Sequence, residues 1–538
     1  MGDGNPFDVI VIGAGHNGLT CAGYLARAGL RVKVVERRHV VGGAAVTEEF
    51  HPGFRNSTCS YTVSLLNPKV IRDLELARYG LEIKTREYSS FVLGPDGQYM
   101  QLNNDKARSM GFLRRQCPED AARYAEFEQV IEKVADVLRD QVLETPPNVG
   151  GGLRDLWRAG KLAWRLQKLT PALQAEAIRL FTMSIADYLA RWFKGDLLLG
   201  FSSYIAMVGN MQSVYAPGSA YVLLHHMFGE VNGHKGHWGH ATGGMGSITQ
   251  AMARFAQAHG ADIEISAPVK RVIVEAGTAR GVELVDGRVI RARALAANVN
   301  PKLLFQRLVD RQYLPPAFAH HMDHYRCRSG SFRMNVALNE LPRFTCAADQ
   351  PDYEQHLLGS VILTHSLDYN QRAYDDALKI GWSREPILEM FIPSVYDDTL
   401  APPGKHVMSL FCQHFNPELP GGRSWDDVRE QVADHIIDTV NRYAPNFKQA
   451  VVGRMALSPL DLEREFGLIG GDIFHGCLHP DQIYSLRPAA GFADYRTPVT
   501  GLYLCGAGAH PGGGVAGCAG HNAAREMLAD RGRWPQAA

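Results

Sequence analysis

Three glycines and one carboxylate near the start of the chain have the spacing of a phosphate-binding site. Gly13, Gly15 and Gly18 form the pattern Gly-x-Gly-x-x-Gly, and Glu36 follows at the end of the next apolar run. The first glycine permits a tight turn, the second lets the backbone approach a pyrophosphate, and the third lets a helix pack closely on a strand. A carboxylate at the position of Glu36 can accept hydrogen bonds from an adenosine ribose. These residues predict a dinucleotide site, for either NAD or FAD.

The segments around these residues are predicted to form a strand, a helix and a second strand. Residues 8–12 are a short, β-branched apolar run that suits a strand buried on both faces of a parallel sheet. Residues 19–28 have the alanine and leucine spacing of a helix, and residues 31–35 make the second strand. This order puts the phosphates at the helix N-terminus, where free N–H groups and the positive end of the dipole favour anions.

Two further glycine-rich segments indicate FAD rather than NAD. Gly42 and Gly43 follow the second strand directly, and such a doublet is typical of FAD-binding enzymes. Near the other end of the chain, residues 506–520 contain seven glycines in fifteen residues and precede a predicted helix at 522–528. The N–H groups of this loop and the helix dipole could stabilise negative charge at the edge of a reduced flavin.

Five motifs are distributed over nearly the whole chain. They are VIGAGHNGL (11–19), VVGGAAVTEEFHPGF (40–54), GGMGSI (243–248), DLEREFGLIGGDIFHG (461–476) and GLYLCGAGAHPGGGVAG (501–517). The first occurs in many folds, whereas the last three are more specific. In these motifs the chain resembles the phytoene desaturase-like flavoproteins.

The motifs and the resemblance together predict the residues that contact FAD. They are Gly13, Gly15, Gly18, Glu36, Arg37, Gly42, Gly43, Val269, Gly506, Gly513, Gly514 and Val515. The resemblance implies backbone contacts from Val269 to the adenine. Many relatives have an arginine after the glycine doublet, whereas this chain has Ala44. We therefore expect backbone N–H groups, or Arg37 or Arg38, to contact the phosphates.

The predicted fold class is α/β. A Rossmann-like FAD-binding domain of glutathione reductase-like topology is expected to contain an inserted α+β substrate domain. We assign residues 1–74, 237–305 and 455–538 to the discontinuous FAD-binding domain, and residues 75–236 and 306–454 to the substrate-binding, helical region. An Asp-Gly hairpin signal at 286–287 predicts a three-stranded meander that returns to the parallel sheet near residue 295.

Residues 197–229 contain no Lys, Arg, Asp or Glu, although 21% of the chain is charged. Three interpretations remain open for this segment: buried helices of a large core, the wall of an apolar substrate tunnel, or a surface that dips into a membrane. Gly200 and Pro217, among other residues, make it a poor transmembrane span.

The resemblance implies that a substrate C–H bond gives a hydride to flavin N5, and a desaturation must also release a proton from the adjacent carbon. His510 and His475 are the candidate catalytic acid or base, although either can equally be a structural histidine. His234, His237 and His240 have regular spacing, but the glycines between them argue against a helix that would align them, and no cysteine is close. No metal site is predicted.

The leading functional prediction is dehydrogenation or desaturation of a small apolar substrate, which is isoprenoid, carotenoid or lipid-like, with oxygen or a quinone as electron acceptor. The alternatives are a carotenoid ketolase or isomerase, and a flavin-binding regulatory or partner protein of low turnover. A flavin disulfide reductase is excluded, because no redox pair of cysteines follows the first glycine motif and no second nucleotide-binding unit is visible.

Composition excludes some partners. The 56 Lys and Arg residues balance 56 Asp and Glu residues, which removes any bulk electrostatic case for nucleic-acid binding. The nine cysteines are scattered without a Cys-x-x-Cys pair, as expected in a reducing compartment. Because residues 1–6 are too short and polar for a secretory signal, we expect a cytoplasmic protein, with peripheral membrane contact left open. The oligomeric state is not predicted.

Overall fold

The computed structural model describes residues 7–534, so the two chain ends that were assigned to the FAD-binding domain, 1–6 and 535–538, lie outside the described residues. Twenty strands occur in the described part: β1 Phe7–Ile12, β2 Val32–Val35, β3 Thr47–His51, β4 Phe54–Ser57, β5 Ile83–Thr85, β6 Tyr88–Leu93, β7 Tyr99–Asn103, β8 Glu230–Val231, β9 His234–Lys235, β10 Gly239–Ala241, β11 Asp262–Glu264, β12 Val269–Glu275, β13 Thr278–Leu284, β14 Val289–Ala297, β15 Ser331–Leu338, β16 Ser360–Leu363, β17 Trp382–Phe391, β18 His406–Phe415, β19 Val451–Leu457 and β20 Leu502–Leu504.

The same residues 7–534 contain eighteen α-helical segments, several of a single turn: α1 His16–Arg27, α2 Pro68–Asp73, α3 Lys106–Gln116, α4 Ala121–Arg139, α5 Leu153–Gln167, α6 Pro171–Thr182, α7 Ile185–Ala190, α8 Asp196–Met207, α9 Tyr221–His226, α10 Gly246–Ala258, α11 Pro301–Leu303, α12 Pro316–His324, α13 Tyr353–His356, α14 Leu367–Ile380, α15 Trp425–Tyr443, α16 Phe447–Ala450, α17 Pro459–Phe466 and α18 Cys518–Asp530.

The first sheet has the order β11-β2-β1-β14-β13-β12, with β20 beside β14. The pairs β11–β2, β2–β1, β1–β14 and β14–β20 are parallel, whereas β12, β13 and β14 form an antiparallel meander. The apolar runs of β1 and β2 are buried because α1 packs beside them, together with α10 and α18. The predicted α/β fold with a parallel sheet and a returning meander is confirmed.

The second sheet has the order β19-β15-β18-β17-β16-β6-β7 and is antiparallel except for the pair β16–β6. A buried cluster around Trp425 of α15 covers it with apolar side chains. Most of these strands come from the segments assigned to the substrate region, but β19 spans the predicted break at residue 455. The exact domain boundaries stay a prediction.

The segment without charged residues, 197–229, forms most of α8, all of α9 and the loop between them. Most of its side chains are buried in a cluster with Phe127 of α4 and Tyr369 of α14, as the interpretation as core helices predicts. This burial leaves little of the segment free to dip into a membrane. Within residues 7–534 no helix combines the length and the hydropathy that are needed to cross a bilayer.

Candidate functional site

Residues from both sheets line one cavity of about 410 Å³. We call the part formed by the first glycine motif, Glu36 and Val269 the nucleotide side. We call the part formed by Tyr61, Val208, His226, Trp238, Arg333 and Phe411 the substrate side. The C-terminal glycine loop contributes Ala507, Gly514 and Val515 to the same wall.

The first glycine motif packs so tightly on the loop after β14 that it has no room for side chains. A Cβ atom on Gly15 would lie 2.8 Å from the side-chain amide of Asn298, and one on Gly18 would collide with the carbonyl oxygen of Gly13. With its amide oriented to suit its neighbours, Asn298 accepts hydrogen bonds from the N–H groups of Gly15 and Gly18 at 3.1 and 3.2 Å. Gly13 has a φ of 92°, which favours glycine.

Glu36 is held in place by the backbone on either side of it. Its Oε2 accepts a hydrogen bond from the N–H group of Ala14 at 2.8 Å, and its Oε1 accepts one from the N–H group of Arg38 at 2.9 Å. The carboxylate thus joins the glycine loop to the end of β2 and lines the cavity beside Val269. Its position suits the predicted contact with a ribose.

The two arginines that could bind the phosphates, Arg37 and Arg38, differ in their hydrogen bonds within the protein. The Arg38 guanidinium donates to both oxygens of Glu48 at 2.9 and 3.0 Å, and it stacks on the Phe466 ring. Arg37 donates one hydrogen bond, to the carbonyl oxygen of Arg464 at 3.0 Å, and burial lowers its pKa. Both line the cavity.

The described residues fit a bound dinucleotide. Several buried polar atoms of lining residues, among them His16 Nε2, Asn17 Oδ1 and Arg38 Nη1, have no hydrogen-bond partner within residues 7–534. An orphaned donor or acceptor in a buried wall is costly unless a ligand or water satisfies it. Together with the glycine loop, which leaves backbone free to approach a ligand, these atoms form a cradle for phosphates and sugar.

The predicted FAD contacts fall into two groups. Those that line the cavity are Gly13, Gly15, Glu36, Arg37, Gly43, Val269, Gly514 and Val515. Those that lie behind the wall are Gly18, Gly42, Gly506 and Gly513, and a Cβ atom on any of the four would collide with a neighbour. The second group therefore permits the close packing that shapes the cavity.

The C-terminal glycine loop is an example of this packing. A Cβ atom on Gly513 would collide with Phe474, and one on Gly514, which has a φ of 100°, would collide with Leu65. Phe474 and Leu65 themselves line the cavity. The loop thus needs glycine to reach the wall.

The two candidate catalytic histidines occupy different positions. His475 lines the cavity, burial lowers its pKa to about 4, and its Nδ1 has no hydrogen-bond partner within residues 7–534. His510 is not a lining residue; its Nε2 lies 2.8 Å from the carbonyl oxygen of Gln141, and burial lowers its pKa to about 4 as well. Only His475 is placed where it can face a ligand in the cavity.

A buried polar cluster adjoins the substrate side. The Tyr61 hydroxyl donates to Glu389 at 2.7 Å, as do the hydroxyls of Ser360, at 2.7 Å, and Tyr204. Arg333 stacks 4.5 Å from the centre of the Tyr61 ring, and burial lowers the pKa of its guanidinium. These hydroxyls solvate the carboxylate in the interior of the protein.

Arg333 is also tied to the neighbouring strand β18. Its guanidinium donates to the carbonyl oxygen of Leu410 and to the hydroxyl of Ser409, each at 2.6 Å. Arg333 and Glu389 were not among the residues predicted from the sequence, although their surroundings in the chain carry a signal. Each is a lone charge inside a run that otherwise consists of apolar and small polar residues, and such a charge is rarely buried unless it is paired.

The regularly spaced histidines His234, His237 and His240 do not share one set of contacts. His240 is buried, and its Nε2 lies 2.9 Å from Asp397 Oδ2. His234 and His237 stack on each other with ring centres 5.0 Å apart. Among residues 7–534 no cluster of three His, Cys, Asp or Glu side chains has the geometry to hold a metal ion.

Comparison with known proteins identifies the family. The sequence profile of the flavin-containing amine oxidoreductases matches residues 18–330. A rat protein, pyridine nucleotide-disulfide oxidoreductase domain-containing protein 2, is 39% identical over 97% of this chain and 94% of its own length. The chain belongs to the flavin-containing amine oxidoreductase family. It is therefore an FAD-dependent oxidoreductase, which confirms the predicted cofactor and enzyme class.

Two more distant relatives of this flavin oxidoreductase have names that include a substrate. One subunit of the limonene dehydrogenase of Castellaniella defragrans is 28% identical, with 98% of this chain and 95% of that protein covered. A neurosporene-forming phytoene desaturase of Cereibacter sphaeroides is 24% identical, with 95% and 92% covered. The resemblance to phytoene desaturase-like flavoproteins is thereby confirmed.

Proposed function

We propose that this flavin oxidoreductase dehydrogenates or desaturates an apolar substrate that is isoprenoid, carotenoid or lipid-like. The composition of the substrate side carries the proposal. It presents Val208, Trp238, Phe411 and the Tyr61 ring, and the apolar side chains of Ile473 and Phe474 line the same cavity. Such a wall suits a ligand that is transferred out of water by its hydrophobicity.

The charges in the wall disfavour a protonated amine as the substrate. Among the described lining residues the one carboxylate is Glu36, on the nucleotide side, whereas the substrate side presents the cation Arg333. A cationic ligand beside Arg333 would be desolvated without a counter-ion, which is unfavourable. The names of the limonene dehydrogenase and phytoene desaturase relatives agree with an isoprenoid ligand.

In this proposal, different residues bind the cofactor, orient the substrate and accept the proton. The N-terminus of α1, which follows the glycine turn, stabilises the phosphates, and Glu36 binds the ribose. Bound FAD supplies the acceptor for a hydride equivalent. The apolar wall orients the substrate and excludes water. His475 is kept neutral at physiological pH by its burial, which lowers its pKa, so its free Nδ1 can take up the proton that the substrate loses.

Electrons leave the protein to oxygen or a quinone in this proposal. The nine cysteines are all unpaired. This agrees with the proposed cytoplasmic, reducing environment and leaves no disulfide to take part in the chemistry.

Anaerobic incubation of the FAD-loaded protein with a total lipid extract tests the proposal. We expect the flavin absorbance to bleach and one lipid-soluble compound to lose two hydrogens by mass, while a water-soluble extract has no effect. A parallel aerobic incubation separates the alternatives, because a product that gains oxygen from O2 would identify a ketolase and one of unchanged mass an isomerase. Absence of bleaching by the lipid extract would contradict the dehydrogenase and favour a flavin-binding regulatory protein.

A further inference from the structure

Helix α5, Leu153–Gln167, turns its apolar face toward solvent. Leu153 is 86% exposed, Leu156 66%, Trp157 67% and Trp164 57%. The spacing of these residues places them on one side of the helix. A helix on the surface of a globular protein normally buries such a face. This one leaves two tryptophans and two leucines more than half exposed.

Three basic residues of α5, Arg158, Lys161 and Arg165, point away from this face. Lys161 binds Glu144 at 2.7 Å, and Arg165 lies 3.4 Å from Asp140. Arg158 lies 3.2 Å from Glu526, a buried carboxylate of α18. Half-buried Leu162 and Leu166 complete this inward face.

These ion pairs fix the rotation of α5 about its axis. Turning the helix to bury its tryptophans would separate Arg158 from Glu526 and Lys161 from Glu144, and Glu526 would keep only Arg496 of its two close cations. Losing a partner of a buried carboxylate is unfavourable. The apolar face is therefore held outward by the fold.

We propose that α5 lies flat on an anionic membrane surface and anchors the protein there. Cations flank the apolar face: Arg154 is exposed although it lies 4.0 Å from Glu526, and the Lys168 ammonium lies 3.5 Å from the centre of the Trp164 ring. Tryptophans beside lysine or arginine suit the boundary between lipid headgroups and acyl chains, and the cations complement anionic headgroups.

The same charges disfavour a second copy of the chain as the occupant. A symmetric dimer across this face would bring Arg154 and Lys168 of one protomer close to the same cations of its partner. The membrane contact rests on α5 alone and does not depend on the proposed reaction. It also moves the expected contact from residues 197–229, which are largely buried, to residues 153–167.

Flotation of the full-length, FAD-loaded protein with lipid vesicles tests the proposal. We expect the protein to float with vesicles of equal parts phosphatidylglycerol and phosphatidylcholine, and less with phosphatidylcholine alone. The double variant Trp157→Gln, Trp164→Gln should float at least about tenfold less, because it loses the aromatic anchors. The control, Val285→Gln with Val289→Gln, changes two exposed valines elsewhere and should float like the wild type.

Bound flavin absorbance verifies that each variant is folded. The proposal is overturned if the wild type stays with the soluble fraction in the presence of both vesicles. It is equally overturned if the double tryptophan variant floats as well as the wild type. Light scattering adds a third outcome: a wild-type dimer that ignores vesicles and that the tryptophan substitutions dissociate would assign the face to self-association and refute the membrane contact.

Discussion

The two sides of the cavity are built in different ways. On the nucleotide side the ligand is approached by backbone, and Gly13, Gly15 and Gly18 are required because a Cβ atom would meet Asn298 or Gly13 itself. On the substrate side the wall is made of side chains from distant segments, such as Val208 after α8 and Phe411 in β18. Backbone binding restricts residue type, whereas an apolar wall accepts many side chains.

Adding a side chain to a glycine on the nucleotide side should have the largest effect on FAD binding. Gly18→Ala should weaken FAD binding at least about 100-fold, which corresponds to about 3 kcal/mol, because the new methyl group collides with the Gly13 carbonyl. Fluorescence titration of the apoprotein with FAD measures the dissociation constant. Gly532→Ala is the matched control, since a Cβ atom there meets nothing within 4 Å. Equal affinity in both variants would refute the backbone account.

Removing Arg333 should affect folding more than FAD binding. Arg333→Met leaves the buried acceptors of Leu410 and Ser409 unpaired, so we expect the free energy of unfolding to fall by about 2 kcal/mol, with the FAD affinity nearly unchanged. Urea unfolding followed by circular dichroism measures the first quantity. Arg307→Met removes an exposed arginine paired with Glu463 and should cost less than about 0.5 kcal/mol. A loss of FAD affinity in Arg333→Met would break the division between the two sides.

Glu36 should act on the adenosine part of FAD alone. Glu36→Gln keeps one of the two oxygens that accept the N–H groups of Ala14 and Arg38 but loses the other and the negative charge, so FAD binding should weaken about tenfold, or about 1.4 kcal/mol. FMN lacks the adenosine, and its affinity should be the same in the variant and the wild type. Parallel titrations with FAD and FMN decide the matter. An equal loss of affinity for FAD and FMN would show that Glu36 does not act through the adenosine.

The smallest predicted effect concerns acid stability. Burial lowers the pKa values of His475 and His510 to about 4. Above about pH 6.5 the imidazoles are neutral in both the folded and the unfolded chain. As the pH falls from about 6.5 toward 4 the unfolded chain takes up protons first, so stability is lost in this range, by about 1 kcal/mol per histidine near pH 5.5.

Substitutions of the two histidines can be compared directly, because acid stability should respond to both and flavin reduction to one. His510→Gln and His475→Gln should each reduce the loss of stability between about pH 6.5 and 5.5, as measured by urea unfolding at the two pH values. His475→Gln should in addition slow flavin reduction by substrate, because His475 alone of the two lines the cavity. Slower reduction in His510→Gln, with normal reduction in His475→Gln, would reverse the assignment.

The nucleotide side could be predicted from sequence because its constraints are local. A turn after β1, a close helix and a carboxylate at the end of β2 leave a pattern within one βαβ unit. Asn298, which binds the same glycine loop, follows β14, and no local pattern connects it to that loop. The pairing of β14 with β1 brings it there.

For the substrate side, only the apolar character could be predicted from the sequence. The charge-free residues 197–229 indicated an apolar core, a tunnel wall or a membrane-dipping surface. In the structure α8 and α9 are largely buried, while Val208 and His226 line the cavity that we propose holds the substrate. Which side chains meet there depends on the packing of two sheets and several helices. His510 was selected for its glycine-rich context, yet it hydrogen-bonds to Gln141 behind the wall.

The most direct test of the separate roles is the anaerobic reduction of a Val208→Asn variant by lipid extract, with its FAD dissociation constant measured on the same sample. We expect wild-type FAD affinity but flavin bleaching at least about tenfold slower, because an amide in the apolar wall must be desolvated when substrate binds. Val285→Asn, on the surface, should match the wild type in both. Bleaching at the wild-type rate in Val208→Asn, or loss of its FAD, would contradict the account.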